Sequence, residues 1–295
     1  MRLSIRYLTE YRYDGVVTDN LNALRVRPAT TPYQRCDEFN TRVDPEARVS
    51  RHVDYFGTEV LEFGVCAPHE QLSIDVRARV ATAPATQPPE GGWEALGLPA
   101  YAEAAGEFGL PWQDQPEVPG LEGLHEELRA ATPRQTLERL CQLIPQRFEY
   151  RPGATYVGSG VGDLLEAGAG VCQDFVHLSL VLLRRQGIAA RYVSGYLWAA
   201  PPGRGAESVE VNTHAWLEAL LPPDAADGEP VWVGADPTND GLAGEGHVKI
   251  GHGRFYADVL PVKGLYRGPA GSELRATVTI SRLDTPPSDT DGRAL

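Results

Sequence analysis

The sequence predicts an α+β chain, with an all-β front unit followed by a core in which one helix packs on antiparallel strands. Three observations carry this. Leu72, Ile74, Val76, Ala78 and Val80 keep a strict period of two, as a half-buried strand does. Residues 168–187, GAGVCQDFVHLSLVLLRRQG, place Val171, Phe175, Leu178 and Leu182 at helical spacing, with Val181 and Leu183 widening the stripe. Three alternating runs then follow within fifty residues, at 190–198, 209–221 and 231–235.

In the front unit, Leu3, Ile5 and Tyr7 alternate, and Asp14-Gly15 offers a turn. Residues 54–65 hold another alternating run. Residues 1–82 thus read as an antiparallel β unit, a small β-sandwich. His52 and His69 stand alone in it and read as surface or internally satisfied histidines. Residues 83–92, APATQPPEGG, form a Pro/Gly-rich break at a domain boundary. The linker, 83–131, continues with short helical pieces cut by Pro and Gly.

Residue 132 opens the core. Thr132 can cap a helix whose first position, Pro133, needs no N–H donor. Leu137, Leu140, Cys141 and Ile144 supply its apolar face, which makes Cys141 a core residue, and Pro145 is expected to kink or end it. The glycine-rich stretch 150–162 lacks both phosphate-binding signatures and is placed as a wall beside the next helix. That helix ends on Arg184, Arg185 and Gly187. A Pro/Gly loop follows at 199–206, and the tail from Thr285 has the composition of a disordered segment.

Composition narrows the function classes. The 295 residues carry 27 basic and 40 acidic side chains, 27 − 40 = −13, which argues against a nucleic-acid or anionic-membrane partner. The first fifteen residues alternate and are charged, unlike a signal peptide, and no run is long enough for a membrane helix, so a cytoplasmic location is expected. Cys36, Cys66, Cys141 and Cys172 form no C-x-x-C pair and are expected to be free thiols.

Cys172 falls in the first turn of its helix, where unpaired N–H groups and the positive end of the dipole favour a thiolate. A thiol nucleophile needs a base, and the base needs an orienting group. His214 lies on the second strand after the helix and Asp236 at the end of the third, an order that can bring all three together. On the second strand, His214, Trp216 and Glu218 alternate against Ala215, Leu217 and Ala219. His177, five residues beyond Cys172 at about 100° each, is nearly opposite it and poorly placed as a base. Asp174 and His177 read as structural hydrogen-bonding residues. Cys172, Asp174, His177 and His214 have no standard zinc spacing, and Asp224, Asp227 and Glu229 form no EF-hand-like calcium loop. No metal or cofactor is expected.

The pieces GVCQDFVHL, THAWLEA and WVGADPTN, in this order, resemble the transglutaminase-like cysteine enzymes, and specifically the bacterial group with an N-terminal β domain. HVKIGHGRFYADVLPVKGLYRG, residues 247–268, resembles the segment after that core, so the resemblance spans nearly the whole chain. It implies a papain-like core and a catalytic triad at Cys172, His214 and Asp236. With the breaks read above, the chain divides into a front domain 1–82, a linker 83–131, a catalytic core with its following segment 132–268, and a C-terminal strand and tail 269–295. The implied activity is acyl transfer from amide bonds of a protein or peptide substrate through an acyl-enzyme. Hydrolysis is expected, because a wide amine site is an added requirement. Amine acyl transfer and a non-catalytic scaffold are the alternatives, and an intact triad counts against the scaffold. Oligomeric state is not legible.

Overall fold

The computed structural model describes residues 1–85, 87–110, 118, 120–156, 158–199, 209–211 (backbone only), 213–225, 227–268 and 271–283. The Pro/Gly loop beyond residue 199 and the tail from Thr285 lie outside these. The front of the chain forms β1 (Arg2–Leu24), β2 (Gln34–Asp44), β3 (Ser50–Val53), β4 (Glu59–Val65) and β5 (His69–Thr82). Helices α1 (Pro99–Ala105), α2 (Leu121–Leu128) and α3 (Pro133–Arg147) follow. Then come β6 (Glu149–Tyr150), α4 (Val161–Ala167), β7 (Ala169–Gly170) and α5 (Cys172–Arg185). The second sheet collects β8 (Ala190–Leu197), β10 (His214–Leu221), β11 (Val231–Asp236), β12 (Gly241–Leu242) and β13 (His247–Gly253). β9 (Val209–Val211), β14 (Val262–Arg267) and β15 (Ser272–Arg282) return to the first. The architecture is α+β, as the periodicities predict.

The front sheet is built on β1. Its first half pairs with β5 and β15, and its second half with β4 and β14. One strand therefore serves both halves of a single eight-stranded sheet, where two separate sandwich sheets were expected. The turn expected at Asp14-Gly15 is absent. β1 runs through these residues, and its register with β5 shifts between Arg12 and Val17 as the strand passes from one half to the other. Leu3, Ile5, Tyr7, Leu72, Ile74 and Val76 are buried on one face. Tyr196, Val248 and Ile250 of the second sheet, with Trp198 just past β8, join that same apolar cluster.

The second sheet has the order β12-β11-β10-β8-β13 and is antiparallel throughout. Ala215, Leu217, Ala219 and Leu221 of β10 pack with Phe175, Leu178 and Leu182 of α5. His214, Trp216 and Glu218 alternate with them along the strand. The run expected as one strand over 209–221 is two: β9 pairs with β15 in the front sheet, and β10 begins at His214. α3 starts as expected, with Thr132 Oγ1 accepting from Gln135 N at 3.2 Å. It runs through Pro145 to Arg147 without ending there, with Pro145 in its last turn.

Hydrogen bonds tie the front sheet to β13. The Gln34 amide donates to the carbonyls of Ala29 and Lys249, both at 2.7 Å, and its oxygen accepts from Lys249 N at 2.8 Å. Tyr196 Oη donates to the Val26 carbonyl at 3.0 Å. Gln34 is 6 % exposed, so no water replaces it cheaply. Gln34→Leu is expected to cost about 1–3 kcal/mol of unfolding free energy, since it strands buried backbone groups of β13. A guanidinium titration measures this, and an unchanged midpoint would show that the strut carries no load.

Candidate active site

α5 begins at Cys172 because the chain before it is held in place. β6 and β7 pair in parallel, Glu149 with Ala169 and Tyr150 with Gly170. The Asp174 carboxylate then caps the helix, accepting from Val171 N at 2.8 Å and from Thr155 Oγ1 at 2.6 Å. Gly170 makes this closure possible, since a side chain there would meet Asp174 and Leu164 at 2.8 Å. The glycine-rich stretch is thus bound to the helix start through Thr155. The Cys172 N–H, at the first helical position, has no intrahelical carbonyl to donate to. The thiol is half-buried, and all four cysteines are free.

Cys172, His214 and Asp236 come together at one site. His214 Nε2 donates to Asp236 Oδ2 at 2.7 Å, and Cys172 lies near enough to the ring to favour its charged form. With Nε2 engaged by Asp236, Nδ1 is the atom left for the thiol. Burial of the ring opposes its charge, but the hydrogen bonds and negative charge of Asp236 and Cys172 outweigh that, and the imidazole is raised to about 9. Asp236 is 1 % exposed. Burial alone would favour its neutral form, yet hydrogen bonds from His214, His247 and Asn239 hold it well below the usual carboxylate range.

Two of those donors, His247 and Asn239, stand outside the three residues named from sequence. Asn239 Nδ2 donates to Asp236 Oδ2 at 2.7 Å, while the N–H groups of Thr238 and Asn239 reach Oδ1 at 3.0 and 3.3 Å. The DPTN turn therefore cages its own aspartate, a signal readable as an Asx-type turn. His247 Nε2 lies 3.0 Å from Asp236 Oδ2. It comes from β13, on the far side of β8 from β10, and no local spacing connects it to Asp236. Trp216 is buried and stacks on His214 with ring centres 6.1 Å apart, meeting His247 edge-on at 5.2 Å. Gly195, paired with His214, leaves room for that indole, because a side chain there would meet the Trp216 ring at 2.5 Å.

His214, Asp236 and His247 are the group among the described residues whose ligand atoms lie within 4.8 Å of one another. Gly244 N–H donates to His247 Nδ1 at 3.0 Å, which puts the ring proton on Nε2, the atom a metal would need. The set is built for hydrogen bonding. His177 takes no part in it: its Nε2 accepts from Tyr256 N at 3.3 Å, and its ring packs against Tyr192. Burial, with a smaller contribution from Arg184, lowers its pKa to about 4. Cys141 is buried in α3, and its Sγ–H donates to the Gly241 carbonyl at 3.4 Å.

Comparison with known proteins agrees with this architecture. Residues 3–81 match the bacterial transglutaminase-like N-terminal region, and residues 122–237 match the transglutaminase-like superfamily. An uncharacterized protein of Mycobacterium leprae is 32% identical over 285 residues, 96% of this chain and 99% of its own length. One of Mycobacterium tuberculosis is 33% identical over 294 residues, 95% and 92% of the two chains. The chain belongs to the bacterial transglutaminase-like family, in which an N-terminal β region precedes a transglutaminase-like core. A solved structure from Cytophaga hutchinsonii, described as a candidate cysteine protease, shares the fold with a TM-score of 0.72 at 21% identity, covering 97% of this chain and 91% of that one.

Buried His177 makes stability depend on pH. Its folded form stays neutral down to about 4, whereas in the unfolded chain it gains a proton near 6.5. Between those values the unfolded state binds more protons, so its contribution is present above 6.5 and is lost as pH falls to 4. His177→Gln keeps an acceptor for Tyr256 N–H and removes the ring. Urea titrations from pH 4 to 7 are expected to show a shallower slope of stability with pH for the variant. An equal slope would assign the dependence to other groups.

Proposed function

We propose that this protein is a thiol acyl-transfer enzyme that hydrolyses amide bonds of a protein or peptide. The observation that carries the reading is His214 set beside Cys172 and hydrogen-bonded to a buried Asp236 that its donors keep charged. A binding scaffold has no need of a buried carboxylate that orients a histidine beside a thiol. The description of the similarly folded Cytophaga hutchinsonii chain as a candidate cysteine protease points the same way.

In the proposed cycle Cys172 Sγ, as thiolate, attacks the amide carbonyl carbon. The oxyanion that forms accepts a hydrogen bond from the Cys172 N–H at the start of α5. His214 Nδ1 donates its proton to the departing nitrogen, the C–N bond breaks, and a thioester remains. Water then attacks the thioester carbonyl while His214 Nδ1 takes its proton, and the C–S bond breaks to release the acid and regenerate the thiolate–imidazolium pair. Asp236 holds the ring through Nε2 at both stages and stabilises its charged form.

Two measurements test this. Iodoacetamide at pH 6 is expected to label Cys172 well ahead of Cys36, Cys66 and Cys141, with Cys141 slowest because burial pushes that thiol up to about 12. Equal labelling of all four would remove the activated thiol. With a responsive amide substrate, Cys172→Ala and His214→Ala are each expected to abolish turnover in folded protein, and the double variant to be barely worse, because residues acting as one unit are not additive. Asp236→Asn is expected to be milder but severe. Wild-type turnover in folded Cys172→Ala would overturn the assignment.

A further inference from the structure

His247 is held at both ring nitrogens. Gly244 N–H can only donate, so Nδ1 carries a lone pair, and Nε2–H donates to Asp236 Oδ2. The same oxygen accepts from His214 Nε2 and Asn239 Nδ2. Two imidazole N–H groups thus converge on one oxygen, and their positive ends repel each other across it. The titratable groups facing the His214 ring are Cys172 from α5, Asp236 from β11 and, through Oδ2, His247 from β13. Trp216 covers both rings.

We propose that His247 is a positioning residue of this site, which in its Nε2–H tautomer takes up part of the charge of Asp236 and thereby limits how tightly His214 holds its proton. The purpose of this device rests on the acyl-transfer reading, but the hydrogen-bond geometry does not. An imidazolium bound too strongly to its carboxylate is a poor acid toward a departing amine, so sharing the carboxylate moves His214 toward the range where it can both give and take a proton. Asn239 and the backbone donors keep Asp236 in place when His247 is changed. The effect of removing His247 is therefore on charge more than on position.

The test titrates the His214 ring by heteronuclear NMR in the Cys172→Ala protein, where no acyl chemistry can occur. The signal is assigned by its loss in His214→Gln. His247→Leu is expected to raise the His214 midpoint, because the carboxylate loses a competing donor and is left to His214. His247→Gln, whose amide can still donate to Asp236, is expected to restore most of it. His247→Asn, too short to reach Asp236, serves as the second donor-less variant if the leucine protein does not fold, and is expected to shift the midpoint upward likewise. Ring ¹⁵N shifts of His247 in the unsubstituted protein are expected to show the Nε2–H tautomer. An unmoved or lowered His214 midpoint in a folded donor-less variant, or the Nδ1–H tautomer at His247, would overturn the proposal. Absence of amide turnover by the unsubstituted protein, with the shift intact in the Cys172→Ala background, would overturn the acyl-transfer reading alone.

Discussion

A carboxylate that is 1 % exposed stays charged only if nearly every lone pair finds a donor, and Asp236 finds five. Three come from its own DPTN turn and two from histidines on other strands, β10 and β13. The cage fixes the direction of Oδ2 and with it the plane of His214. Much of the second sheet can be understood as what supplies those donors. β10 brings His214 and β13 brings His247, while Gly195 on β8 between them makes room for the indole that covers both rings.

Support for the cage extends into the front domain. β13 carries His247 at one end and, two residues on, Lys249, whose backbone is bound by the Gln34 amide of β2. On the face shared with His214, Glu218 accepts from Arg191 Nε at 2.7 Å and Lys249 Nζ at 2.6 Å. Burial would favour the neutral acid, but these two cations lower Glu218 to about 2. A buried ion group of this kind adds little net stability but fixes register, because a slipped strand would leave a charge unpaired. The β domain thereby holds the strand that reaches Asp236, and its connection to the site runs through backbone and fixed charge.

What the sequence discloses follows from how local each signal is. Helix α5 and strand β5 announce themselves by period, and the cap at Thr132 by its neighbours, because those patterns are complete within a dozen residues. Cys172, His214 and Asp236 are legible through chain order and family resemblance. His247 is not: its link to Asp236 is made across the sheet, and nothing in HVKIGHG distinguishes a histidine aimed at a carboxylate from one aimed at water. The split of residues 209–221 between two sheets is hidden for the same reason, since β9 and β10 share one alternating pattern and differ only in distant partners. Asp14-Gly15 misleads in the opposite sense. A turn-forming pair also suits a strand that must change register in passing.

The pairing of Leu3 with Arg282 has a consequence for how the chain is made. β1 is synthesised before β15, so one flank of its first half stays open until β15 has emerged, after the whole of the second sheet. During that interval Leu3, Ile5 and Tyr7 lie on a strand with unpaired backbone groups, the condition under which nascent chains associate with one another. Closing the sheet last also couples its completion to a finished core, because β14 and β15 can reach β1 only once the segment between them and β13 has been laid down. Loss of β15 would therefore expose the flank of β1, a strand made long before it.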